Sequence, residues 1–337
     1  MADFFDQDME EVDVEDLFVG ALLGGAIGDT LGAFCEGWSR DRILGVEDLT
    51  GYYRDRVNRE GEVSLGAGEY TDDTQQTLVL VESILECGKV DPEDLANRYL
   101  AMWREGVLHS YGKAFRVTLE NLDQGMAWSD AASKDQPSNG AVMKIAPVGL
   151  WHWATGEDIR EDALLASHVT HQDPRAVAPA VALAHVVGHL VTHRPLEVTE
   201  VLEVAEWSAR AIHEPTGELI GQVRSLLAMD ENEAWEAMQK MPENQRDGGI
   251  PSEAQATVVV ALEAFLRSGA QFVPTVTRAL TTGGDVDTFA AVAGTLSGVY
   301  LGADGLPEHL VEGLVEQKEI ETLARALYQK TGGGETV

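Results

Sequence analysis

Lysine and cysteine are both scarce. The 337 residues include seven lysines and 17 arginines against 57 Asp and Glu, so the formal net charge is −33. A surface this acidic repels phosphate backbones and anionic lipid, which excludes general nucleic-acid binding and a polybasic membrane anchor. The two cysteines, Cys35 and Cys87, stand outside any CxxC or other metal-ligand spacing. A disulfide scaffold is therefore excluded, and a reducing compartment is expected. No uninterrupted apolar stretch reaches the roughly 18 residues of a membrane-spanning helix. The opening MADFFDQDMEEVDVED carries eight acids in sixteen residues and no basic n-region, unlike a secretory signal. The expected location is cytoplasmic, and a monomer is the default expectation.

Apolar residues are plentiful. At 44% of the chain they exceed what a solvated acidic tail carries, so a packed core is expected. Dispersed carboxylates with few lysines suit a cytoplasm of molar salt, where screening removes their mutual repulsion. A halophilic protein is the expectation, with an ordinary acidic enzyme as the alternative.

Helical patterning dominates and alternating strand patterns are nearly absent. Asp13 is placed to cap a helix through LFVGALLGGAIGDTLGAF, on which Gly20, Gly24, Gly28 and Gly32 recur every four residues. Each glycine costs a helix about 1 kcal/mol relative to alanine, which makes sense where another backbone packs against the stripe. No GK[ST] follows, so this is not a phosphate loop. Further helices are expected at 74–87, 92–105, 113–124, 140–151, 157–168, 174–192, 197–213, 216–228, 231–240, 252–268, 271–281, 288–301 and 315–330. Residues 38–70 read as an irregular loop. The economical architecture is all-α: a single compact orthogonal multi-helix domain over 14–330, between an acidic flexible tail at 1–13 and a flexible end at 331–337.

Acids and hydroxyls concentrate at two helix starts, Thr71-Asp72-Asp73-Thr74 and Asp285-Val286-Asp287-Thr288, with Glu36 closing the glycine helix. Taken singly, each can be a helix cap. Capping needs one oxygen, however, and adjacent carboxylates raise one another's pKa unless a cation neutralises them. The oxygen-only donor set suits Mg²⁺ or Mn²⁺, and the absence of neighbouring His or Cys disfavours zinc.

Five segments in order resemble the ADP-ribosylglycohydrolase family: GALLGGAIGDTLGA at 20–33 followed by Glu36, YTDDTQQTL at 70–78, SNGAVMKIAPVGL at 138–150, THQDPRA at 170–176 and GGDVDTFAAVAGTLSG at 283–298. The resemblance implies an enzyme that hydrolyses the glycosidic bond between ADP-ribose and its acceptor, a protein or a small molecule. It implies two Mg²⁺ or Mn²⁺ ions held by Thr71, Asp72, Asp73, Asp285, Asp287, Thr288 and Glu36, with Glu36, Asp73 and Asp287 in catalytic roles. It also implies that Ser138, Asn139, Gly140, Ala141 and His171 bind substrate near the diphosphate and distal ribose. Lys144 departs from the arginine common at that position, and Asp29 is expected to support the first helix contact. The segment His109-Ser110-Tyr111-Gly112-Lys113 falls where the family contacts substrate. A non-catalytic ADP-ribose binder and a metal-dependent phosphoesterase are the alternatives.

Overall fold

The computed structural model describes residues 12–241 and 248–332. The expected tail and C-terminal end therefore lie outside the described residues, apart from positions 12–13 and 331–332. The first helix, Val14–Ala33, begins as its sequence suggests: the Asp13 carboxylate accepts from the amides of Glu15 (3.0 Å) and Asp16 (3.4 Å). Its glycine stripe lies against the helix Val286–Leu301, the most extensive helix pairing in the molecule. A Cβ at Gly28 would sit 2.0 Å from the Ala290 carbonyl oxygen, and one at Gly24 2.4 Å from that of Gly294. Gly294 and Gly298 return the contact against the carbonyls of Gly24 and Gly20. The helices thus meet backbone to backbone, and close dispersion contact offsets the weak helix propensity of glycine. The same approach brings Asp287 against the end of the first helix, where a Cβ at Gly32 would lie 2.3 Å from the Asp287 Cα.

Other helices wrap this pair. Pro174–Thr192, Ala254–Arg267 and Phe272–Leu280 pack on Val286–Leu301, while Gln317–Lys330 packs on Val14–Ala33 and on Asp72–Cys87. Buried apolar side chains from all of them form one continuous core. Two helices, Val14–Ala33 and Pro174–Thr192, are long and apolar enough to cross a membrane, yet 94% and 78% of their apolar windows are buried inside the fold. They are its core helices. The all-α expectation holds.

Several boundaries differ from the periodicity. The helix expected over 140–151 divides into a 3-10 turn, Asn139–Ala141, and the helix Ala146–Trp151. The residues just before that expected span, 137–139, run extended beside 252–254, with Asn139 N–H on the Ser252 carbonyl (3.2 Å) and Ala254 N–H on that of Pro137 (2.8 Å). The expected loop at 38–70 contains a short helix, Arg40–Leu44, and a hairpin pairing Arg56–Val57 with Val63–Leu65. Two further helices, Trp128–Ala131 and Glu308–Gly313, are too short for a periodic signal.

Candidate metal centre and substrate cleft

Both acid-rich segments open helices, and the structure separates capping from site chemistry. Thr71 caps Asp72–Cys87: its hydroxyl oxygen accepts from the Asp73 amide at 3.4 Å. Asp285 occupies the N-cap position of Val286–Leu301, but its side chain does not cap. It accepts instead from the Asn139 side-chain amide at 2.5 Å. The preceding Gly283-Gly284 pair makes this placement possible. Both have positive φ (71° and 91°), and a Cβ on Gly284 would lie 1.9 Å from the Ile250 carbonyl oxygen. This strand-like run is held on two sides, by Gly284 N–H to the Trp38 carbonyl (2.8 Å) and Asp285 N–H to that of Ile250 (3.2 Å).

The two helix starts and the end of the first helix converge on a cleft of about 400 Å³. Asp72, Asp73, Asp285, Asp287, Thr288 and Glu36 line it. Carboxylate oxygens of Glu36, Asp285 and Asp287 all come within 4.8 Å of one another. Asp73 and Asp287 are almost fully buried, and each has one carboxylate oxygen, Oδ1, with no hydrogen-bond partner. Unpartnered buried carboxylate oxygens are costly. Burial, followed by the neighbouring charges, pushes Asp73 and Asp287 well above the usual carboxylate range and Asp72 up to about 8. A donor set of crowded, unsatisfied hard oxygens fits a divalent cation, which would keep these groups ionised.

Of the expected ligands, Thr71 does not reach the cleft wall. It is fully buried, and its hydroxyl donates to Asp29 Oδ1 at 2.8 Å. Asp29 supports a contact of the first helix. Its buried carboxylate accepts from the Thr71 amide (3.1 Å) and from the Thr74 amide and hydroxyl (3.1 and 2.7 Å). The contact it supports is that of the first helix with the start of Asp72–Cys87, where it pins the first acid motif. Asp29→Ala removes an acceptor for four donors, and each buried donor left unsatisfied costs about 1–3 kcal/mol. The expected result is a lower melting temperature together with at least tenfold weaker Mn²⁺ binding, read by calorimetry, since partners that orient metal ligands typically matter by about 10–100-fold.

The cleft is also lined by Ser138, Asn139, Gly140 and His171, with Asn139 against Asp285. Ala141 is fully buried in the core and does not face the cleft, which corrects its expected substrate role. The His171 ring lies under Gly140, where a Cβ would come 2.7 Å from Cε1. Burial and the nearby Lys144 lower its pKa to about 3, so the ring is neutral. A continuous hydrogen-bonded chain then crosses the molecule behind the cleft. Lys144 Nζ donates to Thr170 Oγ1 (2.5 Å) and Gln76 Oε1 (3.2 Å), and Gln76 Nε2 donates to Asp72 Oδ2 (2.6 Å). Thr170 Oγ1 meets His171 Nδ1 at 2.9 Å, and His171 Nε2 meets Ser138 Oγ at 2.9 Å.

Lys144 donates to the Thr170 hydroxyl, whose proton has two acceptors in reach, His171 Nδ1 at 2.9 Å and the more distant Ser167 carbonyl at 3.5 Å, and the shorter contact favours donation to Nδ1. This leaves the ring proton on Nε2, facing Ser138, and frees the Ser138 hydroxyl to donate into the cleft. Lys144 is fully buried, with its ammonium 5.2 Å from the Tyr99 ring centroid, and desolvation lowers its pKa to about 7. Lys144→Met is expected to raise the KM for substrate about tenfold, with kcat nearly unchanged, by loss of this orientation. In a Ser138→Ala background the same change should add little, a non-additivity read by a double-mutant cycle.

Sequence reading missed three cleft features. Arg56 pairs with Glu36 at 2.5 Å and hydrogen-bonds Ser110. The segment Pro251-Ser252-Glu253 lines the cleft beside 137–139. Gln76 links Asp72 to Lys144. Only Gln76, one turn after Asp72, carried a sequence signal. The segment 109–113 does contribute to the wall, through Ser110, Gly112 and Lys113.

Comparison with known proteins agrees with this geometry. The family model described as ADP-ribosylglycohydrolase matches residues 10–336. An uncharacterized protein of Archaeoglobus fulgidus is 30% identical over 94% of this chain and 97% of its own length. The ADP-ribosylarginine hydrolase Tri1 of Pseudomonas putida is 29% identical over 92% of this chain and 77% of its own. A solved structure described as an ADP-ribosylglycohydrolase-related protein complex superposes with a TM-score of 0.70 at 29% identity, over 94% of this chain and 99% of that one. With matching motifs, fold and full-length similarity, the chain belongs to the ADP-ribosylglycohydrolase family.

Proposed function

We propose that this protein hydrolyses the bond between C1 of the distal ribose of ADP-ribose and its acceptor, releasing free ADP-ribose. The observation that carries the reading is the pair of unpartnered buried oxygens, Asp73 Oδ1 and Asp287 Oδ1, on residues lining a cleft that also carries neutral hydrogen-bonding groups. Asp72, Asp73, Asp285, Asp287 and Thr288, with Glu36 beside them, would hold two Mg²⁺ or Mn²⁺ ions. Such ions, when bound, supply Lewis acidity to vicinal ribose hydroxyls and to water near the anomeric carbon.

The protein's own groups do the remainder. Ser138 and the backbone around Gly140 hold the diphosphate side, and neutral His171 supports Ser138 without adding charge. The fixed carboxylates favour the positive charge that develops at C1 as the glycosidic bond breaks. Glu36 stands at the cleft edge, held by Arg56, where it can accept a proton from the attacking water or gate access.

The relative active on ADP-ribosylarginine supports arginine as the first acceptor to test. Incubation of the full-length protein with ADP-ribosylarginine and Mn²⁺, at low and at high salt, should yield ADP-ribose and arginine. AMP as the product would indicate pyrophosphate cleavage instead, and substrate bound but recovered intact would indicate a binder. Either outcome refutes the proposal.

A further inference from the structure

A second cleft of about 1270 Å³ adjoins the first and shares Glu36 and Ser110 with it. Its walls include Phe34, Trp38, Arg42, Arg54, Arg56 and Arg59. The acids Glu36, Asp55 and Glu60 line it too, so its four arginines exceed its carboxylates by one, in a chain of net charge −33. Most other described arginines are tied to acids, although Arg40, Arg160 and Arg194, each outside the groove, are likewise held over aromatic rings. Arg98, Arg104, Arg116, Arg175, Arg210, Arg224, Arg267, Arg278 and Arg325 all pair with carboxylates. Within the groove, among the described residues, only Arg56 does so, with Glu36.

The others are positioned by different means. Arg42 lies over the Trp38 ring, 3.3 Å from its centroid. Arg54 sits 5.1 Å from the Phe34 centroid and 4.1 Å from that of Tyr52, and donates to the carbonyls of Glu47 and Asp48 (2.8 and 2.9 Å). Its Nη1 is buried without a partner. Arg59 is exposed at the hairpin. Stacking on aromatic rings fixes guanidinium planes while leaving their charge available to a partner.

We propose that this groove docks an acidic polypeptide segment flanking the ADP-ribosylated residue of a protein acceptor. The inference rests on the hydrolase reading, under which the acceptor leaves C1 past Glu36 and Ser110, directly into the groove. Glu36 is neutralised by Arg56, and the remaining guanidiniums, Arg42, Arg54 and Arg59, outnumber Asp55 and Glu60, an excess that favours carboxylates. A polypeptide fits better than a polynucleotide because the surrounding charge repels a continuous row of phosphates more strongly than two or three carboxylates. Val57, on the groove wall, and Val63, on the same hairpin, are 53% and 59% exposed and offer the apolar contact a peptide can use.

The test uses the full-length protein with Mn²⁺ and three substrates: ADP-ribosylarginine, a peptide ADP-ribosylated on arginine with glutamate flanks, and its glutamine-flanked analogue. The glutamate peptide should have about tenfold higher kcat/KM than the glutamine peptide at low salt, with the preference fading as salt rises. Arg59→Gln, and separately Arg42→Gln, should reduce that preference and leave ADP-ribosylarginine turnover unchanged. Anisotropy of the labelled unmodified peptides reads the groove without catalysis, and the glutamate peptide should bind more tightly. Equal binding of both peptides, or an equal loss on all three substrates in the variants, would overturn the groove assignment. Preference for an ADP-ribosylated oligonucleotide over both peptides would overturn it too. Failure to cleave ADP-ribosylarginine, with selective peptide binding intact, would count against the arginine hydrolase reading and not against the groove.

Discussion

Asp287→Asn is expected to abolish turnover while making the metal-free protein more stable at alkaline pH. The activity loss follows from removing a charged oxygen whose Oδ1 has no protein partner. Electrostatic stabilisation of this kind is worth several kcal/mol, so a loss on the order of a thousandfold is anticipated. The stability gain follows from linkage. Burial, and then Glu36, Asp285 and Asp73, hold the Asp287 carboxyl well above its reference value of 3.8 in the fold. A raised folded pKa means that the folded state binds more protons than the unfolded one. Its contribution is fully present below the reference value and is lost as pH rises through the folded value. Asp72, raised to about 8, extends that window into the physiological range. Asparagine is neutral throughout, so the metal-free variant should show a flatter melting temperature between pH 5 and pH 8. Added Mn²⁺ should raise the wild-type melting temperature more at pH 8 than at pH 5, and should raise that of the variant less.

Gly28→Val is expected to break the fold at its centre. The added Cβ would lie 2.0 Å from the Ala290 carbonyl oxygen and 2.9 Å from the Ala291 nitrogen, both backbone atoms that no rotamer change can move. Overpacking of a core costs typically about 1–3 kcal/mol and occasionally more. With two main chains in contact, a loss beyond about 3 kcal/mol is anticipated in urea unfolding, or failure to fold. Gly45→Ala is the control. Its Cβ would meet nothing closer than 3.4 Å, at a φ of −81°, so its effect should stay within about 0.5 kcal/mol. Gly32→Ala tests how packing and site are joined. Its Cβ would press on the Asp287 backbone, so it should weaken Mn²⁺ binding as well as stability.

The glycine stripe was legible in the sequence because its period of four is physical: it marks one face of a helix, and only backbone contact makes such a face useful. The second acid motif was legible because three polar groups in four residues exceed what a cap needs, and Asp285 indeed caps nothing with its side chain. Other features depend on residues far apart in the chain. Asp29 and Thr71 are 42 positions apart, so the carboxylate could be read as supporting a helix contact but not as fixing the first motif. Glu36 and Arg56 meet only because a hairpin forms within a segment that reads as irregular. The helix that periodicity favoured over 140–151 is interrupted at 142–145, and the extended pairing of 137–139 with 252–254 joins residues too far apart in the chain to leave a local signal. Thr71 and Ala141 fell within motifs in which Asp72, Asp73, Ser138, Asn139 and Gly140 line the cleft. Their own direction was set by the turn geometry, which sequence spacing does not show.

Calorimetric titration of the chelator-treated, full-length protein with Mn²⁺ tests the central claim most directly. Saturable binding of two ions per chain, with at least one site lost in Asp287→Asn, is the predicted result. No specific binding, or an unchanged isotherm in the variant, would contradict the assignment of these acids as a metal centre.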